Sequence, residues 1–195
     1  MNTLTLPRKN ASHQLNKFAP LRFFTFSAFL LFGMTSCQPE EPSLTVVPNV
    51  DLNRYQGTWY EIVRLPNRFE EGLTCVSATY TLRPDGTITV KNDGIKEDDR
   101  NSKKSIEGKA RVPDAADPAR LKVTFFWPFS GDYQIMALDT VNYQYALVGN
   151  PSRKFLWILA REKTLDENTI TQLLDQAKQQ GFATENVVRI DQSCP

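Results

Sequence analysis

Histidine is almost missing: His13 is the only one in 195 residues. Cysteine is scarce, with Cys37, Cys75 and Cys194 alone. There is no G-x-S-x-G, no phosphate loop and no two-glycine nucleotide fingerprint. Acids are absent from residues 1–36, which carry Arg8, Lys9, Lys17 and Arg22 and six of the twelve phenylalanines. Without that stretch, 159 residues remain with 19 basic and 22 acidic side chains, a net charge of −3. The +1 of the whole chain is therefore a property of its N-terminus. A mildly acidic remainder argues against nucleic-acid binding. It also has no histidine, which disfavours His-based catalysis and removes the commonest transition-metal ligand. The length suits one domain.

The N-terminal positive charge precedes the apolar run Phe23–Gly33. Eleven residues are too few to span a bilayer as a helix, which needs about 20. Charge, apolar run and small residues in that order read as a secretory signal over 1–36. A buried core helix is the alternative, but the run has no polar face. Met34-Thr35-Ser36-Cys37 resembles a bacterial lipobox, where a peptidase cuts before a lipid-modified cysteine. Met34 departs from the usual leucine. The resemblance implies a diacylglyceryl group on Cys37 and an acylated new amine, a firm membrane anchor at ~0.8 kcal/mol per buried CH₂. A soluble secreted protein with a chance cysteine is the alternative. Residues 37–48, including Gln38-Pro39-Glu40-Glu41-Pro42-Ser43, then read as lipidated cysteine and tether, and 49–195 as the folded domain. Gln38 is not the aspartate that retains enterobacterial lipoproteins at the inner membrane, so the resemblance favours the outer membrane of the cell envelope.

With Cys37 taken by lipid, Cys75 and Cys194 remain. An exported domain with two cysteines usually pairs them, and two free buried thiols are the alternative.

From Gly57 onward, short β-prone runs alternate with turn signals. The runs are 57–65, 75–83, 87–92, 106–112, 121–126, 132–138, 143–149 and 155–161. Separators include Pro84-Asp85-Gly86, Asp93-Gly94, the stretches 96–104 and 113–119, and Asn150-Pro151-Ser152. Eight strands on mostly short links predict an all-β fold, an eight-stranded up-and-down antiparallel barrel. Most runs have one wet face, but 155–161 does not. Phe155, Trp157 and Leu159 line one side, Leu156, Ile158 and Ala160 the other. A helix follows that can cover the second side. Thr164 and Glu167 have capping-box spacing, Ile170, Leu173, Leu174 and Ala177 recur at helical spacing, and Gly181 supplies a stop. Residues 186–191 read as a short ninth strand.

Gly57-Thr58-Trp59-Tyr60-Glu61-Ile62 resembles the Gly-x-Trp signature that opens the first strand of lipocalins. Asp139 with Tyr145-Ala146-Leu147-Val148 matches their second landmark, and Trp157-Ile158-Leu159-Ala160-Arg161 the closing arginine. The loop from Asp139 to Tyr145 is a little longer than in close relatives. The blocks Arg68-Phe69-Glu70, Glu107-Gly108-Lys109-Ala110, Lys122–Phe126 with Pro128-Phe129, and Gly181-Phe182 are similar to bacterial outer-membrane lipocalins, relatives of apolipoprotein D and plant temperature-induced lipocalins. Gly72–Cys75 and Asp191–Pro195 resemble apolipoprotein D, whose equivalent cysteines are bridged. The likeness covers residues 49–195 and implies a lipocalin calyx with a C-terminal helix outside it.

The resemblance implies a structural role for Gly57, Trp59 and Arg161, with the guanidinium over the indole as a cation–π pair. An eight-stranded barrel holds about one small ligand. By strand parity Tyr80, Phe125, Ile135, Phe155 and Trp157 are candidates to line it, or simply to fill it. Trp127 and Phe129 are candidates for the rim. Glu61 shares the parity of Trp59, and its carboxyl is to be met by a headgroup, by protein partners or by water. The pairs Glu70-Glu71 and Asp98-Asp99 read first as solvated loop charge. The expected partners are a fatty acid or lysophospholipid, held for storage, transport or membrane maintenance, and a membrane reached through the lipid anchor. No metal, cofactor or catalytic residue is implied. Some bacterial relatives dimerise, which leaves a homodimer open. The alternative is a lipid-modifying enzyme with Cys75 as thiolate nucleophile, which a bridge to Cys194 would remove.

Overall fold

The structure is a computed structural model that describes residues 42–194. The signal 1–36, Cys37 and the first residues of the tether lie outside the described residues. Among the described residues no helix is long and apolar enough to cross a membrane.

A short helix, α1 (Leu52–Tyr55), precedes eight strands: β1 (Gly57–Arg64), β2 (Leu73–Leu82), β3 (Ile88–Lys96), β4 (Lys103–Arg111), β5 (Arg120–Phe126), β6 (Phe129–Leu138), β7 (Tyr145–Gly149) and β8 (Leu156–Ala160). Each pairs antiparallel with the next, and β8 returns to β1, closing the barrel. Then come α2 (Glu167–Gln179), a 3₁₀ turn at Thr184–Asn186 and β9 (Val188–Arg189), which lies outside the closed circuit against β1. Closure leaves few strand edges open to pairing by another chain.

Alternation sorts the apolar side chains into two cores. Trp59, Tyr80, Val90, Leu121, Val148 and Leu159 pack inside the barrel. The outward face of β8, with Leu156, Ile158 and Ala160, joins Val63, Met136 and Leu147 against Ile170, Leu173 and Ala177 of α2. Two elements that each expose an apolar stripe alone bury both together, at roughly 1.5–3 kcal/mol for each large side chain removed from water.

Several expectations change. Asp93-Gly94 is strand interior, with Asp93 paired to Ser77 on one side and Ser105 on the other. Ladder partners on both edges override the local turn preference. The cap of α2 is Asp166, whose carboxylate accepts from the Thr169 amide at 2.9 Å, two residues beyond Thr164. Gly181, at φ +88, follows the helix as its stop. The ninth strand is two residues long, against the expected 186–191: Asn186 ends the 3₁₀ turn, and Ile190 lies past the strand although its amide still donates to Ile62 O at 3.0 Å.

Strand β1 has one irregularity with large consequences. Opposite β8, Glu61 pairs with Leu159 and Val63 with Ile158, so Ile62 is the extra residue of a bulge. Ile62 and Val63 both pack in the outer core, and the inner alternation resumes at Arg64. On its other edge β1 pairs with β2 only from Gly57 to Tyr60. Beyond that the chain end takes the place of β2. Val63 and Arg64 pair with Arg189 and Val188, and the buried Gln192 donates its side-chain amide to the carbonyls of Glu61 (2.7 Å) and Val76 (2.8 Å). The Cys75 amide donates to Asp191 O at 2.9 Å. Cys75 and Cys194 form a disulfide there, with Cα atoms 6.1 Å apart.

Candidate functional site

Up-and-down topology gives the barrel two unlike ends. The end where β1 begins is shut by the first helix and the structural motif. Trp59 is fully buried, and its indole Nε1 donates to Tyr55 O at 2.8 Å. The Arg161 guanidinium lies 3.8 Å from the indole ring centre. It also donates to the carbonyls of Thr58 (2.9 Å), Gln56 (2.8 Å), Arg54 (2.9 Å) and Tyr143 (3.3 Å). Gly57 has φ +93, and a Cβ there would stand 3.2 Å from Arg161 Nη1. The three motif residues thus form one plug.

Above the plug lies a cavity of about 980 Å³. Its floor is a tyrosine relay. The Tyr80 hydroxyl donates to Tyr133 at 2.9 Å, and the Tyr133 and Tyr55 hydroxyls are 2.7 Å apart. Burial pushes all three phenols up, so they stay neutral. Val90, Val123, Phe125 and Leu159 supply apolar wall. Gly108 leaves the space that the Phe125 ring fills, since a Cβ at 108 would fall 2.6 Å from it.

One part of the polar wall is the buried pair Glu61 and Glu70, backed by the buried Arg64, while Asp93, Lys96, Glu97, Asp98, Lys104 and Asp132 supply charge elsewhere in the lining. Glu61 is 3 % exposed and accepts from Arg64 Nη1 at 2.9 Å. Arg64 Nη2 is committed to the carbonyls of Glu70 (2.7 Å) and Leu73 (3.2 Å). Glu70 accepts from the Trp157 indole at 3.1 Å and from Asn67. Burial pushes the Glu61 carboxyl up to about 8. The neighbouring Glu70 adds to the effect, and the Arg64 hydrogen bond and charge only partly oppose it. Around neutrality Glu61 therefore holds its proton. Asn92 also lines the cavity, and its Oδ1 finds no partner among the described residues.

Of the six residues expected to line a pocket, Tyr80, Phe125, Phe155, Trp157 and Glu61 do so. Phe155 and Trp157 stack with planes 14° apart and ring centres at 5.9 Å, and Phe69 leans on Phe155 at 5.3 Å. Ile135 does not line the cavity. It is fully buried in the inner core, its amide bonded to Ala119 O near the start of β5. Tyr133 and Glu70 also line the cavity, and Arg64 stands behind Glu61, none of them among the expected six. Tyr133 shares the inner face of β6 with Ile135 two residues nearer the mouth, so alternation pointed to it. Arg64 was hidden by the bulge. Glu70 was read as solvated loop charge but is buried. Cys75 is bridged to Cys194 and is not on the cavity wall, so the nucleophile alternative lacks its thiolate. No cluster of metal-ligating side chains occurs among the described residues.

Comparison with known proteins agrees with this geometry. Residues 50–192 match the family model described as a lipocalin-like domain. The chain is 43 % identical over 173 residues to outer membrane lipoprotein Blc of Escherichia coli K12, covering 89 % of this chain and 96 % of that protein. It is 40 % identical to temperature-induced lipocalin-1 of Arabidopsis thaliana, covering 79 % of this chain and 86 % of that one. Bovine apolipoprotein D is 35 % identical, with 79 % and 84 % covered. Among solved structures, insecticyanin from the tobacco hornworm superposes with a TM-score of 0.63 at 23 % identity, over 77 % of this chain and 85 % of that one, a likeness of fold.

Proposed function

The chain belongs to the lipocalin family, and from that premise we propose that it is a non-catalytic lipid-binding protein of the cell envelope, tethered through Cys37 to the outer membrane. In this reading it holds a single-chain amphiphile, a fatty acid or a lysophospholipid, for storage, transport or membrane maintenance. The observation that carries it is the cavity: about 980 Å³, with apolar wall above a floor of mutually hydrogen-bonded tyrosines and buried polar groups at Glu61 and Glu70. Pockets of this size with few convergent polar groups suit a ligand with one long apolar part and one polar end.

The patch at Glu61 and Glu70 favours the lysophospholipid. Its one cation, Arg64, has both terminal nitrogens occupied by Glu61 and backbone carbonyls. A fatty-acid carboxylate beside Glu61 meets two more carboxyl groups and a guanidinium whose terminal nitrogens are already engaged, while Lys96 and Lys104 stand at the β3–β4 end of the lining. A zwitterionic or neutral head can accept from the Glu61 proton and donate to Asn92 Oδ1. The likeness to the bacterial lipoprotein supports the anchor and its membrane, and the N-terminal pattern around Cys37 agrees with it.

The test is titration of the delipidated full chain with lysophospholipids and fatty acids, read by tryptophan fluorescence and calorimetry. Trp157, stacked in the cavity wall, should change emission on filling. Saturable binding of one lipid per chain is expected, tighter for the lysophospholipid. Absence of saturable binding to both would reject the proposal.

A further inference from the structure

The four aromatic side chains that remain exposed among the described large hydrophobic residues are Phe69 (60 %), Phe126 (70 %), Trp127 (89 %) and Phe129 (78 %). All four stand at one end of the barrel. Strand directions put the β1–β2 loop, with Phe69, and the β5–β6 hairpin, with Phe126, Trp127 and Phe129, at the open rim, on opposite sides of the mouth. Scattered apolar residues on a surface need no explanation, but aromatics gathered at one end mark a contact.

The beginning of the described chain lies at the same end. Arg153, in the rim loop between β7 and β8, donates to the carbonyl of Pro42, to Pro151 O and, at 3.2 Å, to Gln180 O at the end of α2. From Pro42 the chain runs away from the rim, passing Gln180 at Thr45 and the barrel wall at Val47, where its amide bonds to Ile135 O. Cys37 is five residues upstream of Pro42. Five residues reach at most about 18 Å when fully extended. A lipid on Cys37 therefore holds the rim, and not the plugged end, next to the bilayer.

We propose that the open rim docks on the bilayer surface, with Trp127 and its phenylalanine neighbours seated at the headgroup level and the cavity mouth facing the lipid. The occupant of the aromatic patch is the membrane itself. Indole and phenyl rings at an interface, added to an acyl anchor, provide the second attachment that fixes orientation. A mouth held against the bilayer lets a single-chain lipid pass between membrane and cavity without crossing open water. The proposal rests on the anchor read at Cys37.

The experiment uses the full chain incorporated in vesicles of phosphatidylethanolamine and phosphatidylglycerol containing brominated phosphatidylcholine. The difference between wild type and Trp127→Phe isolates the emission of Trp127. In vesicles this emission is expected to move to the blue and to lose more than half its intensity to bromine, while buried Trp59 is unaffected. The pair Phe126→Ser, Phe129→Ser should abolish the shift and leave the protein on the vesicles. Mass analysis of Cys37 separates the two readings. With lipid present on Cys37, an aqueous, unquenched Trp127 overturns docking and leaves the anchor standing. With Cys37 unmodified and Trp127 still aqueous, both fall. Shielding of Trp127 in vesicle-free solution together with a two-chain mass assigns the patch to a second copy and also overturns the proposal. Loss of saturable lipid binding with normal quenching strikes the ligand reading alone.

Discussion

Arg64 donates to the carboxyl of Glu61 at 2.9 Å within the same strand, although residues three apart in an unbroken strand face opposite ways. The bulge at Ile62 makes the contact possible. It turns a cation that alternation would send outward back toward the cavity wall. There it meets an acid that alternation already placed inside.

The first prediction concerns the proton on Glu61. Its ordinary value of 4.5 is raised to about 8 in the folded chain. Between those values the folded chain binds a proton that the unfolded chain has released. The resulting stabilisation is complete below about 4.5 and fades as pH rises through about 8. The unfolding free energy of the wild type from urea titrations should fall from pH 5 to pH 8.5, by about 4 kcal/mol at most. Glu61→Gln should flatten that part of the profile. A wild type whose stability rises over this range contradicts the assignment.

Filling the space at Gly108 should shrink the cavity. Gly108→Ala brings a methyl onto the Phe125 ring and close to Thr124 O. The expected cost in stability is about 1–3 kcal/mol, as for other overpacked sites. The ring lines the cavity, so lipid affinity should fall more than the melting temperature implies. Calorimetric titration beside thermal melts checks this, and equal affinity in the two proteins counts against Phe125 as a wall residue.

Arg161→Ala removes a cation–π contact and several bonds to backbone carbonyls at once. A loss of roughly 2–4 kcal/mol is expected, because the carbonyls at the plugged end lose a shared charged donor. Provided the variant folds, affinity for lipid should change little, since the plug lies beneath the tyrosine floor. Chemical denaturation and titration of the same samples separate the two effects. Arg161→Lys should recover only part of the loss, since an ammonium cannot reach so many carbonyls in one plane.

Reduction of the Cys75–Cys194 bridge should lower stability by about 2–4 kcal/mol, consistent with release of a long loop in the unfolded chain; the bonded residues are 119 apart. Amide exchange gives a local readout. The Cys75 and Ile190 amides, which hold the chain end to β2 and β1, should exchange faster than those of β6. Unchanged protection after reduction shows that the hydrogen bonds alone hold the segment.

Some of this was legible in the sequence because the signal was local or periodic. The plug is a short motif, Gly57 with Trp59, closed by Arg161 from the far end of the barrel. The two faces of β8 and the stripe of α2 carry different periods, so their mutual burial follows from counting. Alternation tells which face a side chain takes, but not its height in the barrel. Tyr80 and Ile135 are both inward, yet one is cavity floor and the other is packed away from it. Arg64 needed knowledge of a bulge, which no residue type near Ile62 announces. The helix start was ambiguous because Thr164 and Asp166 each have a partner three residues later. Asp166, whose ionised carboxylate also binds the Thr169 hydroxyl, wins that competition.

The way β1 divides one edge between β2 and the chain end also bears on the order of assembly. As the chain emerges from its N-terminus, the plugged half of the barrel can close as soon as β8 arrives. The mouth cannot reach its final circumference until Gln192 bridges the carbonyls of Glu61 and Val76 and Cys194 finds Cys75. The binding chamber is thus finished by residues 188–194, and a chain in which they have not yet docked carries an unsealed seam.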